Sequence, residues 1–178
     1  MYQQVIIVDA TFLTGKYGGS LLIATAQDAN HQIYPLAFAV VDSENNASWK
    51  WFFEQLVLQI PSSDELMFVS DRHRSIANVI QKVYTTSEHC LCTWHLKNNL
   101  RTRYRKSTLW ELFTLASESY TRAEFRKHFE SIEKVNSNMS DYLRYVCWQF
   151  TMLTVLLCIC RLIFFDCFNM LTLLFFLL

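Results

Sequence analysis

The spacing of apolar and polar positions changes several times along this chain. From Gln4 to Leu13, "QVIIVDATFL" is apolar at most positions, as in a strand buried on both faces. "GKYGG" follows, and its glycines at 15, 18 and 19 suit a turn with unusual backbone angles. "SLLIATAQDANHQIYPLAFAVVDSE" then reads as two strands, near 20–27 and 32–41, joined at "DANH", where Asp28 and Asn30 favour a turn. Short connections between three successive strands make them antiparallel neighbours.

The period becomes helical in "ASWKWFFEQLVLQIP". Trp49, Phe52, Phe53, Leu56 and Ile60 fall at i, i+3, i+4, i+7 and i+11, which is one helical face. Ser48 is placed to cap this helix and Pro61 to stop it. "ELMFVS" predicts a fourth strand, and "SIANVIQKVY" a short helix with Ile76, Val79, Ile80 and Val83 on one side. "SEHCLCTW" predicts a fifth strand and "HLKNNLRTRYRK" a helix; everything after that reads as helix. Thr121 and Glu124 have capping-box spacing, followed by Phe125, Phe129 and Ile132 at i, i+4 and i+7. No internal repeat and no Gly/Ser or Pro linker interrupts the order.

This order predicts an α/β fold built on a mixed five-stranded sheet. A strand–helix–strand step makes parallel neighbours with a right-handed crossover. If the first and fourth strands are neighbours, Asp9 and Asp71 emerge at the same carboxyl-end edge, where open α/β sheets place ligands. Each follows an apolar run, "VIIVD" in one case and "LMFVSD" in the other. Two carboxylates side by side stay ionised only with a cation between them. Mg2+ suits the pair, being a hard ion with oxygen ligands that keeps part of its water shell. Two such ions can activate a nucleophile and stabilise a leaving oxygen in phosphodiester chemistry. The bland alternative stands beside this: Asp71 as a cap for the helix starting near His73.

Two further features carry chemistry. His89, Cys90, Cys92 and His95 crowd together, with Cys92 and His95 as a C-x-x-H pair. A structural zinc site usually draws on two separated ligand pairs, and only one cluster is present, so buried packing thiols are the competing reading. In the next helix Leu96, Leu100 and Tyr104 form one stripe of spacing four, and Lys97, Arg101 and Arg105 another. A basic stripe beside an apolar one fits a helix docked on a core and facing phosphates; a solvated charged face fits it as well.

Composition narrows the picture a little. The 178 residues suit one domain with an appendage, and a net formal charge of +0 argues neither for nor against a nucleic-acid partner. "MYQQV" resembles no secretory leader, so the six cysteines are expected reduced. From Val146 onward the text turns apolar, with Arg161 and Asp166 its only charges.

The ordered set "VDATF", "GGSLLIATAQDANHQIYPLAFAVVDSENNASWKWFFEQL", "FVSDRHRSI" and "HCLCTWHLKNN" resembles the core of Mutator-like (MULE) transposases of plants, over roughly residues 5–145. The resemblance implies an RNase H-like domain that cuts and joins DNA with Mg2+ or Mn2+ through a DDE triad. Asp9 then matches the first acid and Asp71 the second, while Cys92 and His95 match the family's C-x-x-H element. It implies DNA as partner, a nuclear setting, and a core over 4–95 followed by the start of a helical insertion over 96–145. The third acid has no match: Glu111, Glu118, Glu124, Glu130 and Glu133 all lie in predicted helices before the apolar tail. The family's N-terminal DNA-binding region and C-terminal zinc knuckle are not matched either.

The tail over 146–178 has two readings. Its apolar runs fall short of the roughly 20 residues that span a bilayer, and charges interrupt them. Its Phe, Leu, Ile, Cys and Met content also fits translation of thymine-rich non-coding sequence, the favoured reading, which leaves a hydrophobic liability. The functional expectation is therefore a transposase catalytic fragment, inactive without its third acid. The alternatives are a domesticated DNA-binding or regulatory protein and a membrane-anchored protein, and self-association is expected from the apolar content.

Overall fold

The computed structural model describes residues 4–16, 18–27 and 32–149. They divide between Cys90 and Leu91 into two compact units.

The first unit holds the sheet. Strands β1 (Gln4–Phe12), β2 (Ser20–Gln27), β3 (Ile33–Val41), β4 (Leu66–Ser70) and β5 (Glu88–Leu91) lie in the order β3-β2-β1-β4-β5. β1 pairs antiparallel with β2, β2 antiparallel with β3, and β1 parallel with β4. The mixed five-stranded sheet expected from the sequence is thus present, with the first and fourth strands adjacent and parallel. The turn "DANH" lies outside the described residues. Between β1 and β2 the chain reverses at Gly18 and Gly19, with φ of 61° and 100°. A Cβ on Gly19 would sit 2.6 Å from the Val41 carbonyl oxygen, so that close approach requires glycine.

Helices α1 (Asn46–Gln59) and α2 (Arg74–Val83) pack against each other and cover one face of the sheet. α1 turns its predicted apolar face inward, burying Trp49, Phe52, Phe53 and Leu56. Its cap differs from the sequence expectation. Asn45, not Ser48, accepts from Ala47 N at 2.8 Å and from Ser48 N at 3.0 Å. Ser48 is a turn inside the helix and buried, because Asn45 already supplies the extended cap residue.

Ile6, Val8, Leu22, Ala24, Leu66 and Phe68 meet these helices. Their alternates Ile7, Ile23, Met67 and Val69 belong to the opposite face, since side chains alternate along a strand, and they are buried as well. This accounts for the near-continuous apolar runs. Phe68 meets Phe53 and Tyr84 edge-on at 5.5 and 4.5 Å. Such pairs add about 0.5–1.5 kcal/mol each beyond their buried area. Tyr84 also donates its hydroxyl to the Ile60 carbonyl at 3.0 Å, and burial pushes that hydroxyl's pKa up.

The second unit is helical: α3 (Thr93–Arg103), α4 (Ser107–Ser117), α5 (Arg122–Val135) and α6 (Ser137–Gln149). The capping box at Thr121 and Glu124 is present, with Glu124 N donating to Thr121 Oγ1 at 3.2 Å. Of the expected α5 stripe only Ile132 is buried; Phe125 and Phe129 are half-buried and stack on each other. α6 runs through Val146, which is fully buried, so helix continues past the position where the text turns apolar. The rest of that tail lies outside the described residues. Among the described residues no helix is long and apolar enough to cross a membrane.

Candidate functional site

Asp9 and Asp71 are set by the β1–β4 ladder. Its register runs from Gln4↔Leu66 to Ile7↔Val69. Asp9 and Asp71 each stand two residues beyond its last pair, Asp9 still within β1 and Asp71 outside β4. Asp9 does not end its strand, in keeping with the strand expected from Gln4 to Leu13. β1 continues to Phe12 because the hairpin with β2 stays paired as far as Phe12↔Ser20. What ends near Asp9 is the parallel ladder to β4. Asp71 is the first residue beyond β4.

Local bonds hold both acids. Asp9 Oδ1 accepts from Ala10 N at 2.9 Å, and the residue is only 8% exposed. Asp71 Oδ1 accepts from His73 N at 2.9 Å, a bond to the backbone two residues on. Asp71 therefore does not cap α2; His73 occupies the cap position and makes no side-chain capping bond. Glu44, in the β3–α1 connection, lies beside this turn. His73 Nδ1 lies 3.5 Å from Glu44 Oε1, which also accepts from Trp49 Nε1 at 3.1 Å.

A brace reaches Asp71 from β5. Ser70 Oγ donates to the Asp71 carbonyl at 2.7 Å and lies 2.8 Å from His89 Nε2. A serine hydroxyl has one proton. With that proton directed at the Asp71 carbonyl oxygen, His89 Nε2–H is the donor to Ser70 Oγ. Burial lowers the His89 pKa to about 4, which keeps the ring neutral at pH 7. Neither Glu44 nor the Ser70–His89 pair was assigned a role from the sequence. "SD" in Ser70–Asp71 is the only local hint, and both partners arrive from distant elements.

The remaining candidates lie at or beyond the end of β5. The strand is shorter than expected, so Cys90 and Cys92 do not share a strand face: Cys92 is the cap residue of α3. Both thiols are free and buried, and burial together with Glu88 pushes Cys90 up to about 12. His95 meets the Trp94 ring edge-on at 4.9 Å. Among the described residues no group of three or more His, Cys, Asp or Glu could hold a metal ion.

The basic stripe is also shorter than expected. Lys97 and Arg101 stand four apart on α3, but Arg105 lies beyond its end, after the cap residue Tyr104. Tyr104 is held there by its hydroxyl, donated to the Asn138 carbonyl at 3.1 Å, and by Trp110 Nε1, which donates to its carbonyl at 2.6 Å. The Arg101 guanidinium lies 5.8 Å over the Trp110 ring. Partial burial and the neighbouring Arg101 lower the Lys97 pKa, against the pull of Glu118.

Comparison with known proteins adds three findings. A family model described as MULE transposase domain matches residues 5–99. The protein FAR1-RELATED SEQUENCE 4 of Arabidopsis thaliana is 20% identical over 152 residues, covering 80% of this chain. The chain corresponds to only 20% of that relative's length. A chain in the cryoEM structure of the simian T-cell lymphotropic virus intasome in complex with PP2A regulatory subunit B56 gamma overlays 84% of this chain and 49% of its own, at 10% identity and a TM-score of 0.36. That overlay is too loose to bear on the fold.

Proposed function

This chain belongs to the MULE transposase family, and from that premise we propose that it is a DNA-binding portion of a transposase catalytic domain whose phosphodiester chemistry is lost or nearly so. That it derives from a transposase follows from the family; the rest is our reading. The observation that supports it is the β1–β4 register, whose last pair, Ile7↔Val69, lies two residues before each of the two acids of the expected triad. Lys97 and Arg101 on α3 supply cations for phosphate contacts, and Arg105 follows past the helix end.

The donor set fits a divalent ion in kind. Mg2+ is commonly held by one or two carboxylates with water completing its shell. Asp9 and Asp71 would be its protein ligands, and the bound ion would supply Lewis-acid activation for phosphodiester cleavage. The chain's own part is to keep that pair rigid. Ala10 N–H holds one carboxylate, and His73 N–H and Ser70 hold the other residue in place. Two carboxylates without a third are expected to bind weakly and to give little turnover.

The test is Mn2+ binding followed by electron paramagnetic resonance, run beside cleavage and strand-transfer assays. Weak binding removed by Asp9→Asn or Asp71→Asn, with little product, is the expected result. Robust metal-dependent cleavage abolished by either substitution would show that another acid completes the site. A second reading is a regulatory DNA binder without catalysis. DNA binding indifferent to Mn2+ and to both aspartates would select it. For either reading the nucleus is the expected setting, since DNA is the partner.

A further inference from the structure

Sheet register links the Asp9 position to the open edge of the sheet. Asp9 pairs with Ile23 on β2, and Ile23 with Phe38 on β3. Directly paired residues on neighbouring strands share a face, so Asp9, Ile23 and Phe38 form one row. Thr11, Leu21 and Val40 form the next. Exposure changes sharply along the first row: Asp9 is 8% exposed, Ile23 7% and Phe38 72%. Val40 is 69% exposed beside it. The face bearing Asp9 is therefore closed at β1 and β2 and open at β3, where it presents a benzyl and an isopropyl group.

Resting on the reading of the chain as a DNA binder, we propose that Phe38, flanked by Val40, is a stacking platform for an unpaired nucleobase of the DNA strand engaged near Asp9 and Asp71. Strands are about 4.8 Å apart, so Phe38 stands about 10 Å from the Asp9 position. Exposed aromatic rings take bases by stacking without regard to sequence, because every base has a π face. The cations such a strand needs are close in sequence to the second acid: Arg72 and Arg74, both exposed, follow Asp71 in "DRHR". The other obvious occupant is a second copy added to the β3 edge. Pro35 removes a donor from that edge, and the register shift at Ala24/Thr25 breaks its regularity. Both oppose strand addition and favour a ligand lying across the face.

The experiment uses the full chain and a single-stranded oligonucleotide carrying 2-aminopurine, beside a blunt duplex of the same sequence. Quenching of 2-aminopurine on binding is expected. Phe38→Ala should weaken single-strand binding about tenfold and abolish the quenching, with duplex affinity unchanged. Phe38→Trp should retain both. Because Phe38 is largely exposed, thermal melting should be the same in all three proteins. Phe38→Ala with unaltered single-strand affinity would overturn the platform while leaving the DNA-binding reading intact. A change of oligomeric state in light scattering, with DNA affinity unaltered, would give the face to a second copy and overturn it too. Failure of the parent chain to bind either DNA at low salt would defeat the underlying reading, and the platform with it.

Discussion

Gly19 and His89 make the most direct residue-scale predictions. At Gly19, φ of 100° and a Cβ position 2.6 Å from a backbone oxygen leave no accommodating movement to a flexible side chain. Gly19→Ala should cost about 1–3 kcal/mol, read as a lower midpoint in urea. Gly18→Ala, with φ of 61° and nothing within 4 Å, should cost only the left-handed penalty of about 1 kcal/mol. For His89 the folded pKa is lowered to about 4 from the ordinary 6.5. Between those values the unfolded chain binds the proton and the folded chain does not. Stability from this group is therefore complete above pH 6.5 and is lost as pH falls toward 4, by at most about 3 kcal/mol. His89→Gln should flatten that part of the stability–pH curve. An unchanged curve would mean that the ring is not held neutral.

At the scale of elements, caps and register decide the outcome. Asn45 caps α1 with two backbone bonds, and Thr121 with Glu124 caps α5 reciprocally. Asn45→Ala and Thr121→Ala should each lower stability by about 1 kcal/mol, checked by thermal melting. Ser48→Ala tests the alternative cap: loss comparable to Asn45→Ala would contradict the bond pattern around α1. Sequence spacing located α1, α2 and the α5 cap because each is a local pattern within one turn or one face. It overextended β5 and α3, because where a short strand gives way to a helix depends on which backbone groups find partners elsewhere. Tyr104 illustrates this: its position past α3 is held by Asn138 and Trp110, neither of which belongs to α3. Arg105 leaves the basic stripe for the same reason.

For the whole molecule, α6 gives a boundary to test. Val146 is fully buried within a helix that runs to Gln149. A chain ended after Tyr145 should be less stable than one ended after Gln149 by about 2 kcal/mol, the worth of a buried valine. Equal melting would mean that the end of α6 adds nothing to the fold. DNA binding belongs to this scale as well. Affinity should fall steeply with salt, and Lys97→Ala or Arg101→Ala should each reduce the salt slope by about one, with little dependence on sequence. A slope unaffected by both would remove α3 from the interface.

The sequence by itself determined the mixed α/β order, the parallel relation of the strands that precede Asp9 and Asp71, the inward face of α1 and the family. These rest on periodicity, on the handedness of crossovers and on ordered motifs, all written locally or in chain order. Only the tertiary structure decided that the parallel ladder stops short of Asp9 while the antiparallel one runs on to Phe12. It alone brought Ser70 and His89 together behind Asp71, and Glu44 to His73. It alone placed Phe38 in the Asp9 row, since a row across three strands depends on two pairing registers at once. Registers are fixed by burial on both faces of the sheet, and that burial does not exist until the strands have assembled.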